Sequence, residues 1–279
     1  MAGREARPGR PLSRLSGFAA KRFLPRAYGP GEALSVTTED GVRLGGARLA
    51  GPPEPVASIV LVHGFSQSSR TPRVHAFAHL LARRAEVIVP DLRGHGTSGG
   101  LCTLGHYEPL DVAAAVAAAS PGLPVVTVGI SLGGAAVLLH GRGRAGGPDG
   151  RVAGVVSVSA PAWAGAWDTT ATNRIRRYAT SRAGRQIMAR LIGTRVAAQC
   201  VPVPEPYDRA AAISPAFVLV VTTERDHYFG PEHPETIFRW AEEPKDLWTL
   251  PGPGHGSELL TPELADRLLE HVEAKVGAK

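Results

Sequence analysis

Val125-Val126-Thr127-Val128-Gly129-Ile130-Ser131-Leu132-Gly133-Gly134-Ala135-Ala136-Val137-Leu138-Leu139-His140 is the stretch on which the reading of this chain turns. Residues 125–130 are a nearly continuous apolar, β-branched run of strand length, the pattern of a strand buried on both faces. Leu132 to His140 has helical character, so the chain passes from strand to helix at Ser131. A serine in such a tight turn is held in strained backbone geometry, and the residues two before and two after it must be small. Gly129 and Gly133 meet that demand, which makes Ser131 a candidate nucleophile. The same Gly-x-Ser-x-Gly spacing occurs at Gly96-Thr97-Ser98-Gly99-Gly100, but no strand ends there, and Ser98 is read as part of a structural loop.

Outward from this joint, the chain repeats the strand-then-helix pattern. Strand-like runs fall at Ala33 to Thr38, Val42 to Leu49, Ser58 to Val62, Val87 to Pro90, Val125 to Ile130, Val152 to Val158, Phe217 to Thr222 and Leu247 to Leu250. The first two flank Glu39-Asp40-Gly41, an Asp-Gly turn that predicts a hairpin. Helical spacing appears around Phe77, Leu80 and Leu81, and again over Pro262 to Ala274. The fold class expected is α/β, a mostly parallel eight-stranded sheet with helices on both faces. Residues 161–212 interrupt the alternation with two helix candidates. One is capped by Ser181 and stopped by Gly193, with Ile187, Met188, Leu191 and Ile192 on one face and Arg182, Arg185 and Arg190 on the other. These residues are expected to form a small helical cap inserted into a core of residues 32–160 and 213–279.

Apolar residues at 43% and charged residues at 20% lie near globular averages, which disfavours disorder throughout, collagen and coiled coil. The net charge of +6 invites a nucleic-acid reading, but it is local: residues 1–26 hold Arg4, Arg7, Arg10, Arg14, Lys21, Arg22 and Arg26 against Glu5. Residues 1–31 are read as a flexible basic extension, no nucleic-acid motif accompanies it, and no nucleic-acid partner is expected. Its longest apolar or small run, Gly17 to Ala20, is too short for a signal peptide, and no transmembrane segment is expected. Cys102 and Cys200 form no Cys-x-x-Cys pair, so neither a zinc spacing nor a disulfide framework is expected, and a cytoplasmic location fits. Gly141-Arg142-Gly143-Arg144-Ala145-Gly146 matches a dinucleotide-binding pattern on paper, but it follows a helix and leads into a turn-rich stretch, so it is read as a loop.

A serine hydroxyl needs a base to take its proton and an acid to orient that base. After Ser131, Glu224 and Asp226 stand at the end of the strand beginning at Phe217. Of the later histidines, His255 lies in the loop Pro251-Gly252-Pro253-Gly254-His255-Gly256 after a strand, free to reach over the sheet end, whereas His227, His233 and His271 are assigned surface or packing roles. Acyl transfer also builds up an oxyanion, which needs two backbone donors. The amides of Phe65, in His63-Gly64-Phe65, and of Leu132 are the candidates.

Taken in order, His63-Gly64-Phe65, Asp91-Leu92-Arg93-Gly94-His95-Gly96-Thr97-Ser98, the Ser131 joint, Thr223-Glu224-Arg225-Asp226 and Gly254-His255-Gly256 resemble the α/β-hydrolase fold superfamily from about residue 33 onward, in its serine esterase and lipase-like branch. The resemblance implies that Asp91 and His95 are structural and that the acid sits in a Gly-x-x-Asp turn. Thr223 replaces that glycine, which keeps Glu224 as a lesser alternative to Asp226. Aspartate-nucleophile relatives are excluded by Ser131. The function expected is cleavage of a carboxylic ester through Ser131, His255 and Asp226, with no cofactor and no metal, on a neutral or anionic small-molecule substrate. Aminopeptidase, thioesterase and acyltransferase chemistry of the same fold are the alternatives, followed by an inactive ligand-binding scaffold. The eight arginines of residues 161–212, against Asp168, Glu205 and Asp208, weigh against an ammonium substrate. Trp163 and Trp167 are expected either in the cap core or on an acyl pocket, and a homo-oligomer stays open.

Overall fold

The computed structural model describes residues 31–141, 150–198 and 202–277. Strands run β1 Glu32–Thr37, β2 Arg43–Leu49, β3 Ser58–Val62, β4 Glu86–Pro90, β5 Val125–Ile130, β6 Val152–Val158, β7 Phe217–Arg225 and β8 Lys245–Pro253. They form one eight-stranded sheet in the order β1-β2-β4-β3-β5-β6-β7-β8. β2 pairs antiparallel with both β1 and β4, and every pairing from β4 across to β8 is parallel. The hairpin between β1 and β2 closes on the Thr38 N–H to Val42 carbonyl bond at 2.9 Å, with Gly41 at φ 81°.

Alternate residues of each central strand feed two separate cores. On one face Val60, Val62, Val218 and Val220 pack with Val112 and Ala115 of α2 (Glu108–Ala117), Ala136 and Val137 of α3 (Leu132–Gly141) and, further along, Ile237. On the other face Ile59, Leu61, Leu219 and Val221 meet Phe77 of α1 (Pro72–Leu81) and Leu268 and Val272 of the last helix, Pro262–Val276. Both faces are therefore dry, which is why these strands read as continuous apolar runs and not as alternating ones.

From β3 the chain crosses to β4 on one side and returns to β5 on the other. At such a reversal the connections leaving the carboxyl ends of the two inner strands diverge and open a crevice. The crevice here lies between the ends of β3 and β5, where Gly64-Phe65 and Ser131 follow.

Two sequence expectations need correction in extent. β7 runs three residues beyond Thr222, and β8 reaches Pro253 instead of ending at Leu250. Their pairing continues past an irregularity between Thr223 and Arg225, and β8 is an edge strand, where Pro251 and Pro253 remove no ladder partner. In the segment between β6 and β7 the chain forms α4 Thr170–Thr180, α5 Arg182–Ile187 and α6 Pro206–Ala210. The Ser181 hydroxyl accepts from the Gly184 N–H, and Gly193 at φ 69° stops the helical run, as expected. The apolar face expected there is not intact: Met188 is buried, but Ile187 is 45% and Leu191 76% exposed. From Met188 to Ile192 the winding is π-helical, whose wider turn shifts Leu191 off the α-helical spacing; Ile187 lies ahead of it, at the end of the α-helical turns. The basic extension falls largely outside the described residues, as do Cys200 and the rejected glycine-rich match after Gly141.

Candidate active site

Ser131 follows β5 directly at φ 53°, a left-handed conformation unfavourable for a residue with a side chain. It is kept there by the Ser131 N–H, which donates to the Val158 carbonyl at 2.8 Å, and by α3, whose Ala135 N–H donates to the Ser131 carbonyl at 3.1 Å. The flanking glycines are required by contact: a Cβ on Gly129 would come 2.2 Å from the Gly133 carbonyl oxygen, and one on Gly133 2.4 Å from that of Val62. The small-residue demand read from the sequence is thus a backbone-on-backbone approach.

His255 presents Nε2 to the Ser131 hydroxyl at 3.0 Å and Nδ1 to Asp226, at 2.8 Å from Oδ2 and 2.9 Å from Oδ1. The three residues nominated from sequence therefore form one hydrogen-bonded chain, although Asp226 and His255 arrive from different strand ends. Asp226 Oδ1 also accepts from the Tyr228 N–H at 2.7 Å and the Phe229 N–H at 3.1 Å. Burial acts to raise the pKa of this carboxyl, but His255 and the two backbone donors outweigh it and hold it below the ordinary carboxylate range. Glu224, the alternative acid, is exposed and accepts from the Gly252 N–H at 3.0 Å, away from His255. Thr223, which stands where the family pattern has glycine, donates its hydroxyl to the Gly254 carbonyl at 2.8 Å and so ties β7 to the loop that carries His255.

The β3 end is fixed with equal care. Gly64 N–H donates to Gln67 Oε1 at 3.0 Å, Ser66 N–H to His95 Nε2 at 3.2 Å and Gln67 N–H to the Gly64 carbonyl at 3.2 Å. Among the described residues no acceptor is recorded for the Phe65 N–H between them, and Leu132 opens α3, where leading N–H groups lack a partner within the helix. His95 is a neutral acceptor here: burial, with His63 close by, pushes its pKa down to about 3. His63 uses both nitrogens as well, Nε2 accepting from the Leu92 N–H at 2.9 Å and Nδ1 lying 2.8 Å from the Gly64 carbonyl. Asp91 accepts from the N–H groups of Ser69 and Thr97 at 2.7 and 2.8 Å. Ser98 is buried, accepts from the Gly45 N–H at 2.9 Å and donates to the Asp91 carbonyl, so the second Gly-x-Ser-x-Gly serves the loop.

Beside Ser131 lies a cleft of about 670 Å³, counted open to solvent, walled by Phe65, Leu132, Trp163, Trp167, Tyr228 and Phe229 among others. Among the described residues that line it there is no Asp, Glu, Lys or Arg. Trp163 and Trp167 both face it, and Trp163 also stacks on buried His233 at 3.9 Å between ring centroids, which places His233 in packing as expected. His271 packs against Phe217 and Trp248, on the far side of the sheet. The sequence reading missed two contributors. Tyr228 stacks on the His255 ring at 4.2 Å and 26°, and the Gln67 side chain donates to the Ser257 hydroxyl at 2.7 Å, bridging the Phe65 loop to the His255 loop. The aromatic pair Tyr228-Phe229, beginning two residues after Asp226, was the only available signal for the first; Gln67 gave none.

The family model described as alpha/beta hydrolase family matches residues 59–268, three quarters of the chain and every element of this site. The chain belongs to the alpha/beta hydrolase family. No curated protein matches this alpha/beta hydrolase in sequence. Similar solved structures include the Pyrococcus furiosus esterase Pf2001, at 18% identity and TM-score 0.66 over 90% of this chain and 99% of that one. The esterase RhEst1 from Rhodococcus sp. ECU1013 shares 21% identity at TM-score 0.68, covering 88% of this chain and 98% of its own. The alpha/beta hydrolase GrgF from Penicillium sp. sh18 gives 17% and 0.67 over 88% and 99%. At these identities the likeness establishes the fold. Among the described residues of this hydrolase there is no group of side chains suited to a metal ion, and no helix is long and apolar enough to cross a membrane.

Proposed function

We propose that this alpha/beta hydrolase cleaves carboxylic esters with an apolar acyl part through a covalent acyl-serine. The observation that carries the reading is the chain Ser131–His255–Asp226 beside a cleft whose described lining holds no charged side chain. In this mechanism the Ser131 Oγ attacks the ester carbonyl carbon and His255 Nε2 takes its proton. The tetrahedral oxyanion is received by the amides of Phe65 and Leu132. His255 then protonates the departing alkoxide, the alcohol leaves, and water attacks the acyl-serine with His255 again as base. Asp226 stays ionised and stabilises the imidazolium, which also lies against the face of Tyr228. Residues 161–212 act as the cap, their tryptophans forming the acyl wall.

The aminopeptidase alternative requires a carboxylate to meet a substrate ammonium. Glu205 is occupied by the Ala164 N–H at 2.6 Å, and Asp168 lies 3.8 Å from His233; neither lines the cleft. The testing experiment compares neutral aryl esters with prolyl and alanyl arylamides on one preparation. Turnover of the esters with negligible arylamide cleavage is expected; faster arylamide cleavage that N-acetylation abolishes would replace the esterase reading. Asp226, held below the ordinary carboxylate range by His255 and two backbone donors, is expected to stay charged on mild acidification.

A further inference from the structure

From Thr169 to Pro204 the chain carries seven arginines and no Asp or Glu. Helix α4 turns Thr172, Ile175 and Ala179 inward, the first two onto the cleft, and leaves Arg174, Arg176 and Arg177 exposed. Arg182 and Arg190 are exposed on the following helical run. None of these five makes an ion pair among the described residues. The same two consecutive helical runs expose Tyr178 at 42%, Ile187 at 45% and Leu191 at 76%, half of the large apolar side chains exposed among the described residues. Leu191 lies in the π-helical stretch and Ile187 just ahead of it, as described above.

Any occupant of this face has to satisfy aliphatic side chains and arginines together. The basic extension of residues 1–26 is excluded by its like charge, and so is the same face of a second copy. A nucleic-acid backbone would answer the arginines but leave Leu191 in water. An anionic lipid surface answers both, with headgroup charge outside and hydrocarbon a few ångströms below, and arginine can keep its stem among the apolar groups while its head meets phosphate. We propose that the outer face of α4, α5 and the π-helical turn docks this protein on an anionic lipid–water interface. The inward face of α4 borders the cleft, so docking sets the cleft mouth beside the source of water-insoluble esters; that last link, unlike the docking itself, rests on the ester reading.

Co-sedimentation of the full chain with vesicles tests this without turnover. At low salt the protein should bind vesicles of phosphatidylcholine mixed with phosphatidylglycerol, bind those of phosphatidylcholine alone far less, and release as salt is raised. Ile187→Asp with Leu191→Asp should weaken binding at least about tenfold, and Arg176→Gln with Arg177→Gln and Arg182→Gln should do the same and flatten the salt dependence. Both variants should keep the wild-type melting temperature and their rate on a short soluble ester. A wild type that binds vesicles yet turns over no ester would overturn the ester reading and leave docking intact. Docking is overturned if the variants bind as the wild type does, or if replacing Arg4, Arg7, Arg10 and Arg14 by Gln abolishes binding while the variants of this face retain it. A wild-type dimer that Leu191→Asp dissociates, or arginine-dependent retention of duplex DNA without vesicle binding, would assign the face to another partner and equally overturn the proposal.

Discussion

Ser131→Ala is expected to lower kcat on an aryl ester by at least about 10³-fold while the melting temperature stays at the wild-type value. The loss is large because the hydroxyl is the atom that bonds to substrate, and no neighbouring group can replace it: Ser98, the serine of the parallel motif, is buried on Gly45 and Asp91. The fold should be indifferent. Alanine meets the same left-handed backbone requirement at φ 53° as serine does, and the backbone bonds to Val158 and Ala135 do not involve the side chain. Steady-state kinetics beside thermal unfolding separates the two effects. Activity within tenfold of wild type would remove Ser131 from the chemistry.

Asp226→Asn should cost about 10⁴-fold in kcat, and the geometry says why. Oδ1 accepts from two backbone N–H groups, those of Tyr228 and Phe229, so the asparagine must place its oxygen there. Its NH₂ then occupies the Oδ2 position, 2.8 Å from His255 Nδ1 in the wild type. A donor at that point forces Nδ1 to accept, moves the ring proton to Nε2 and turns it toward Ser131, where a base is required. The variant is nearly isosteric and should fold normally. Retained activity would mean that the carboxylate does not set the tautomer of His255; Glu224→Gln, in contrast, should leave kcat unchanged, since that side chain serves Gly252.

What could be read in the sequence was what local chain geometry enforces. The elbow at Ser131 was legible because Gly129 and Gly133 are needed for a close backbone approach that any side chain would block. The central strands were legible because burial on both faces writes one unbroken apolar run. The end of β7 was not, because Thr223, Glu224 and Arg225 carry polar side chains in a stretch held by the ladder to β8. The choice between Glu224 and Asp226 depended on that ladder, and so stayed open until the position of the two carboxylates was seen. Leu191 illustrates the opposite case: helical spacing assigned it to one apolar face with Met188, and it falls in a π-helical stretch and is exposed. Gln67 and Tyr228 act through contacts between separate loops, to Ser257 and His255, and residue order carries no trace of such contacts.

The central claim is that Ser131 is an activated nucleophile, and covalent labelling reaches it before any substrate is known. The folded protein is treated with a fluorophosphonate at neutral pH, digested, and its peptides are mapped by mass spectrometry. A single adduct on Ser131 is expected, slowed strongly in Asp226→Asn and absent in Ser131→Ala. An unlabelled protein, an adduct on Ser98 or another serine, or labelling that survives Ser131→Ala would contradict the account.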